Sequence, residues 1–131
     1  MTKDELNNYR WLVKDILEIK DEIDELRARA ERVNQSISDM PKAENNNSDK
    51  ICIYSIKIVE KEKELKEKEV KEKREREKII DFLNTISDTL VRQILQYRFL
   101  NLLTWKKVAY FVGGGNTDES VRKIAERFLK K

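Results

Sequence analysis

Apolar residues recur along the first third of the chain at alternating intervals of three and four. Tyr9, Leu12, Ile16, Ile19, Ile23, Leu26, Ala30, Val33 and Ile37 trace four heptads. This is the a/d pattern of a helix packed along its whole length against another. Such a helix is about 50 Å long at ~1.5 Å per residue. It is predicted over residues 3–39, because the residue before Pro41 is pushed out of helical backbone, and MPKAENNNSDK supplies a polar, turn-prone linker over 40–49.

A second helix is predicted over about 50–84, and its apolar residues gather at the ends. Ile51, Tyr54, Ile58 and Leu65 come first, then Ile79, Phe82, Leu83 and, just beyond, Ile86. Between them KEKELKEKEVKEKREREK has little beyond Leu65 and Val70. Alternating Lys and Glu reads as a solvated helix supported by i,i+4 ion pairs of ~0.3–0.5 kcal/mol each rather than as a basic nucleic-acid stripe, since the run is close to neutral. A complete stripe facing a patchy one leaves apolar surface over, which is a reason to expect a homodimer through the N-terminal helices. The alternative closes the two helices as an antiparallel hairpin within one chain, with the stems of long charged side chains covering the weak positions.

Beyond residue 86 the pattern shortens into three helices. The first starts near Asp88 and is expected to close a core with Leu90, Val91, Ile94, Leu95 and Phe99, while Tyr97 and Arg98 read as structural partners. Thr104 can cap the next helix, where Trp105, Val108, Ala109 and Val112 follow at i, i+3, i+4, i+7 on one face. Gly113, Gly114 and Gly115 stop it, and Asn116 is expected to restart the chain as an N-cap with Glu119 three residues on. Val121, Ile124, Ala125 and Phe128 then form a buried face, leaving Glu119, Ser120, Arg122, Lys123 and Arg127 on the open side or its flanks. Two short helices joined by a sharp turn, the second basic, make a helix-turn-helix, and a major groove is wide enough to admit the second helix. The same arrangement also occurs as a plain structural corner. The expected division is therefore 1–86 as a helical hairpin and 87–131 as a helix-turn-helix domain.

Composition narrows the class. With 40% charged and 39% hydrophobic residues, one Pro and three Gly that all fall in one turn, the 131-residue chain reads as all-α. No run of eighteen apolar residues and no charged-then-apolar leader occurs, so neither a membrane span nor a secretory signal is expected, and the cytoplasm is the expected location. Cys52 is alone and there is no histidine. This excludes an internal disulfide, a Cys/His zinc site and a histidine base; no metal, cofactor or enzymatic chemistry is expected, and Cys52 reads as a small apolar residue near a helix start.

Charge is unevenly placed. Residues 87–131 hold nine Lys/Arg against four Asp/Glu, while residues 1–86 hold nineteen against twenty-one. The basic excess accompanies the helix-turn-helix, where phosphate contacts would supply affinity for double-stranded DNA. Arg122, Lys123 and Arg127 are the candidates to reach the groove or its phosphates, with Ser120 near the helix start and Lys106 and Lys107 clamping the backbone. Thr104, Asn116, Thr117 and Glu119 complete the candidate set, the last able to accept from a cytosine amino group.

The order of features is a long heptad helix, a Met40–Pro41 break with a polar linker, a charged second helix, then LVRQILQYRFLNLLTWKKVA and GGGNTDESVRKIAERF. It resembles the small ArpU-like phage and prophage regulators, whose C-terminal part is similar to the upstream-promoter-reading helix-turn-helix of bacterial sigma factors. The specific part of the resemblance is residues 90–129. Thr104 to Val112 match the scaffold helix and Thr117 to Phe128 the recognition helix, although the GGGNT turn is longer than the turn of a typical sigma domain. The resemblance implies a DNA-binding transcriptional regulator of a Gram-positive phage or prophage, often one controlling late genes, with RNA polymerase as a further partner. Two rivals belong to other classes. A phage small terminase subunit combines a helix-turn-helix with long oligomerising helices and would form rings. A pure protein-interaction module would show no salt-dependent DNA binding.

Overall fold

The computed structural model describes the backbone of residues 1–39 and 45–130 and the side chains of 1–35 and 49–130. Ile37 as a packing residue, and the linker over 40–44, lie outside what is described. The described elements are all helical, as the composition requires: α1 (Lys3–Asp39), α2 (Asn45–Asn84), α3 (Thr89–Leu95), α4 (Trp105–Val112) and α5 (Asp118–Leu129), with a π-helical segment, Gln96–Leu100, continuing α3. No strand occurs among the described residues. No helix among them is long and apolar enough to cross a membrane.

α1 begins where the sequence supplies a cap. The Glu5 amide donates to Thr2 Oγ1 at 3.2 Å. Asp4 and Glu5 also place negative charge in the first turn, where it complements the helix dipole. α2 begins earlier than expected. Residues 45–49, assigned from sequence to the linker, are helical. Asn, Ser and Asp are turn residues, yet they are also the types that favour the first positions of a helix, and the helix extends into them.

The chain divides into two compact units, Lys14–Val70 and Met1–Val13 with Lys71–Lys131. In the first, Ile16, Ile19 and Ile23 of α1 are buried, and Ile51, Tyr54, Ile58 and Leu65 of α2 are half-buried. Asp15 pairs with Lys68. One heptad forward along α1 and one heptad back along α2, Glu22 pairs with Lys61 at 2.8 Å. The two stretches are therefore antiparallel, and Arg27 of α1 also reaches Glu62 of α2 at 2.5 Å. The charged midsection of α2 thus contributes cations and carboxylates to pairs across the unit. At such exposure they add little stability, and the buried isoleucines carry the packing.

The second unit holds the larger core. Leu6 and Tyr9 of α1, Ile79 and Leu83 from the end of α2 and Ile86 just past it pack in one cluster with Val91, Ile94, Leu95, Phe99, Val108, Ala109, Val121 and Ala125. The boundary expected at 86/87 thus runs through a core rather than through a linker. The reason is size. α3, α4 and α5 have 7, 8 and 12 residues, too few to cover both sides of Ile94 and Val108, and the ends of the long helices supply the missing wall. Tyr9 is tied in twice: its ring is buried, and its hydroxyl donates to Glu72 Oε1 at 2.7 Å. Burial first, then the bond to Glu72, raises its pKa above the ordinary 10.0, because both disfavour the phenolate. Leu90, expected in this core, is exposed. Asp88 caps α3 by accepting from the Leu90 and Val91 amides at 3.0 and 3.4 Å. That fixes Val91, Ile94 and Leu95 as the inward face and leaves Leu90 about 100° away from Val91 around the helix.

Candidate nucleic-acid interface

α4 and α5 are held against each other by small and β-branched residues. Val108, Ala109, Val121 and Ala125 are buried where the helices meet, and Ile124 and Phe128 are half-buried against the same core. Thr104 caps α4 as expected, its Oγ1 accepting from the Lys107 amide at 3.3 Å. Before it, the chain turns through Leu102 at φ 59°. That is a left-handed position, which costs a leucine about 1–2 kcal/mol. Arg98 holds the turn: its Nη1 donates to the Leu103 carbonyl at 3.0 Å, and its guanidinium carbon lies 4.6 Å from the centroid of the Trp105 ring. Trp105 in turn meets Phe99 edge to face at 6.3 Å. Burial, with Arg10 acting in the same direction, lowers the pKa of Arg98. Tyr97 packs against Phe111 at 5.8 Å. Tyr97 and Arg98 are therefore structural partners, as the sequence suggested.

The turn between the helices is closed by its own backbone and by Asn116. Gly113 stands at φ 69°, ψ −152°, a conformation essentially reserved for glycine. Its carbonyl accepts from Asn116 Nδ2 at 2.8 Å. That bond commits the Asn116 side chain to the turn, and the capping expectation shifts by one residue. Thr117, not Asn116, is the N-cap of α5, and Ser120, not Glu119, completes the capping box. The Ser120 amide donates to Thr117 Oγ1 at 3.1 Å and the Thr117 amide to Ser120 Oγ at 2.8 Å. Each thus satisfies a donor that the helix start would leave open. Two adjacent cap-forming residues compete for this role, and the bond from Asn116 back to Gly113 decides it.

The candidate residues therefore fall into three groups. Thr104, Asn116, Thr117 and Ser120 use side-chain atoms to shape the motif. Lys106, Lys107, Arg122 and Arg127 are exposed and, among the described residues, form no ion pair. Lys123 and Glu119 are paired with each other at 3.2 Å, one helical turn apart on the exposed side of α5. As acceptors in caps, the Thr104 and Thr117 hydroxyls keep a proton to donate outward.

Sequence reasoning missed the aromatic side chains beside these cations. Tyr110 is 81% exposed and Phe111 55% exposed, and their rings meet edge to face at 5.5 Å. Tyr110 lines a shallow groove with Lys106, Ala109, Asn116, Thr117 and Asp118, next to one lined by Trp105, Asp118, Glu119 and Arg122. A signal was present. Tyr110 and Phe111 fall outside the Trp105, Val108, Ala109, Val112 stripe and sit four residues after Lys106 and Lys107, so that each aromatic shares a face with a lysine. No protein-family model, curated protein or solved structure matches the chain.

Proposed function

We propose that the chain is a DNA-binding transcriptional regulator of the phage or prophage type that reads double-stranded DNA with α5 and steadies it with α4. The observation that carries this reading is the placement of four exposed cations, Lys106 and Lys107 on α4 and Arg122 and Arg127 on α5, on two helices whose opposite faces share one core. Among the described residues none of the four is spent on an ion pair. A helix presented in this way fits a major groove, and its partner helix fits the flanking phosphates. The resemblance to ArpU-like regulators suggests late-gene control with RNA polymerase as a further partner, the lack of an apolar span among the described residues suggests action in the cytoplasm, and the complete apolar stripe of α1 facing the patchy one of α2 suggests self-association through the N-terminal helices.

The test is DNA affinity measured against salt concentration for the full chain and for Arg122→Ala and Arg127→Ala. Both residues are exposed, so helicity and melting stay within about 0.5 kcal/mol of the parent. A lost phosphate contact lowers affinity for every sequence and flattens the salt slope by about one unit, whereas a lost base contact costs ~1–3 kcal/mol at one position of the selected site. Unchanged binding by both variants overturns the assignment. In that event the exposed Tyr110 and Phe111 pair favours the protein-interaction reading, because aromatic residues are enriched at protein interfaces.

A further inference from the structure

The outer face of α2 carries an apolar stripe that stands exposed among the described residues. Ile53, Ile56 and Val59 are 49%, 53% and 65% exposed. They lie opposite the half-buried residues Ile51, Tyr54, Ile58 and Leu65 that face α1. At about 100° per residue, Ile56 is half a turn away from Leu65 and nearly so from Tyr54 and Ile58. The stripe is bounded by opposite charges. Asp49 and Lys63, both exposed, stand seven residues before and seven residues after Ile56, at the same heptad position.

We infer that this stripe is a self-complementary seam on which a second copy of the chain docks, α2 against α2, antiparallel about a two-fold axis at Ile56. The inference rests on the homodimer part of the proposed function and gives it a surface and a register. Around such an axis Ile56 meets Ile56 of the second copy, Ile53 lies level with Val59, and Asp49 lies level with Lys63, twice by symmetry. A parallel pairing would bring Asp49 to Asp49, Glu60 to Glu60 and Lys63 to Lys63, and like charges in register oppose association. The charge pattern therefore selects the antiparallel arrangement and excludes its competitor, as charged flanks do in helix pairs generally. Cys52 provides a built-in ruler. In the antiparallel register the two Cys52 residues are offset by eight residues, about 12 Å along the axis, beyond the ~7 Å Cα separation that a disulfide spans. In the parallel register they lie level.

The experiment uses the full chain. Sedimentation equilibrium over a concentration series gives the association state, and air oxidation under native conditions tests the register in the parent, in Cys52→Ser, and in Cys52→Ser carrying Ile56→Cys. The parent is expected to dimerise without forming a disulfide, and the Ile56→Cys variant to cross-link to itself. Ile56→Asp, at an exposed position where the single chain keeps its helical content, is expected to weaken the dimer at least about tenfold. Asp49→Lys and Lys63→Asp should each weaken it about two- to tenfold, with recovery in the double reversal. A dimer that survives Ile56→Asp, that forms the Cys52 disulfide, or in which the double reversal fails to recover leaves self-association standing and overturns this seam. A parent chain that stays monomeric overturns both the seam and the homodimer reading. Neither result touches DNA binding by α4 and α5.

Discussion

Glu119→Gln should tighten DNA binding while leaving the fold almost unchanged. Glu119 holds Lys123 at 3.2 Å, with the two side chains 65% and 56% exposed. At that exposure an i,i+4 pair stabilises α5 by about 0.3–0.5 kcal/mol, and a carboxylate in the first turn adds about 0.3–1 kcal/mol through the helix dipole. The capping box of Thr117 and Ser120 is untouched. The total loss of stability is therefore about 1 kcal/mol. The effect on DNA has the opposite sign. A carboxylate about 8 Å from a phosphate in water is repelled by about 0.5 kcal/mol, reduced by screening over a Debye length of ~8 Å at physiological salt. Removing it, and freeing Lys123 to approach the backbone, should tighten binding about two- to tenfold and steepen the salt slope by up to about 0.9. The assay is a salt titration of affinity for random-sequence and selected DNA, alongside urea unfolding. Weaker binding to both DNAs would refute the electrostatic reasoning. Weaker binding to the selected site alone would refute it too, and would place Glu119 on a base edge, accepting from a cytosine amino group.

Two further outcomes concern the fold. Gly113→Ala should cost about 1–3 kcal/mol, because its backbone conformation is closed to side chains. An added Cβ would meet nothing within 4 Å, so the loss reports backbone strain alone, and a lower urea midpoint at constant m checks it. Tyr9→Phe should lose about 1 kcal/mol at neutral pH with its bond to Glu72. Because the folded-state pKa of Tyr9 lies above 10.0, the parent keeps this contribution below pH 10.0 and loses it as pH rises through the raised value. Melting followed through that alkaline range should show a decline in the parent that the variant lacks.

What could be read from the sequence depended on how local the deciding interaction was. The bounds of α1 and the buried positions Ile16, Ile19 and Ile23 follow from a single-helix period, and the face formed by Val108 and Ala109 follows in the same way. The shared core was hidden, because Tyr9 begins the heptad run and reads as a continuation of the hairpin. Only the three-dimensional fold shows that Tyr9 packs with Ile79, Ile94 and Val108. The one-residue shift of the α5 cap was equally hidden, since Asn116 and Thr117 are both good cap residues and a bond within the turn separates them. Tyr110 and Phe111 escape the pattern for another reason: apolar periodicity marks a buried face and carries no expectation for aromatic residues on the exposed one.

The acidic start of α5 determines how the motif would have to meet DNA. Asp118 and Glu119 occupy the first turn of this 12-residue helix, where negative charge complements the positive end of the helix dipole and strengthens it. The same charges occupy the place where a bare helix N-terminus would attract a phosphate. A phosphate therefore gains little there. The four candidate cations that form no ion pair among the described residues lie elsewhere, on Lys106 and Lys107 of α4 and farther along α5 at Arg122 and Arg127. Backbone contacts would then come from the lysines of α4 and from Arg127, with the start of α5 turned toward base edges. There the carboxylates would stand clear of the phosphates without bonding a base, and Arg122, one turn farther in, would be the residue to reach a base edge. If α5 meets DNA, helix stability and DNA attraction make opposite demands on its first turn, and separating them along the helix would let one short element meet both.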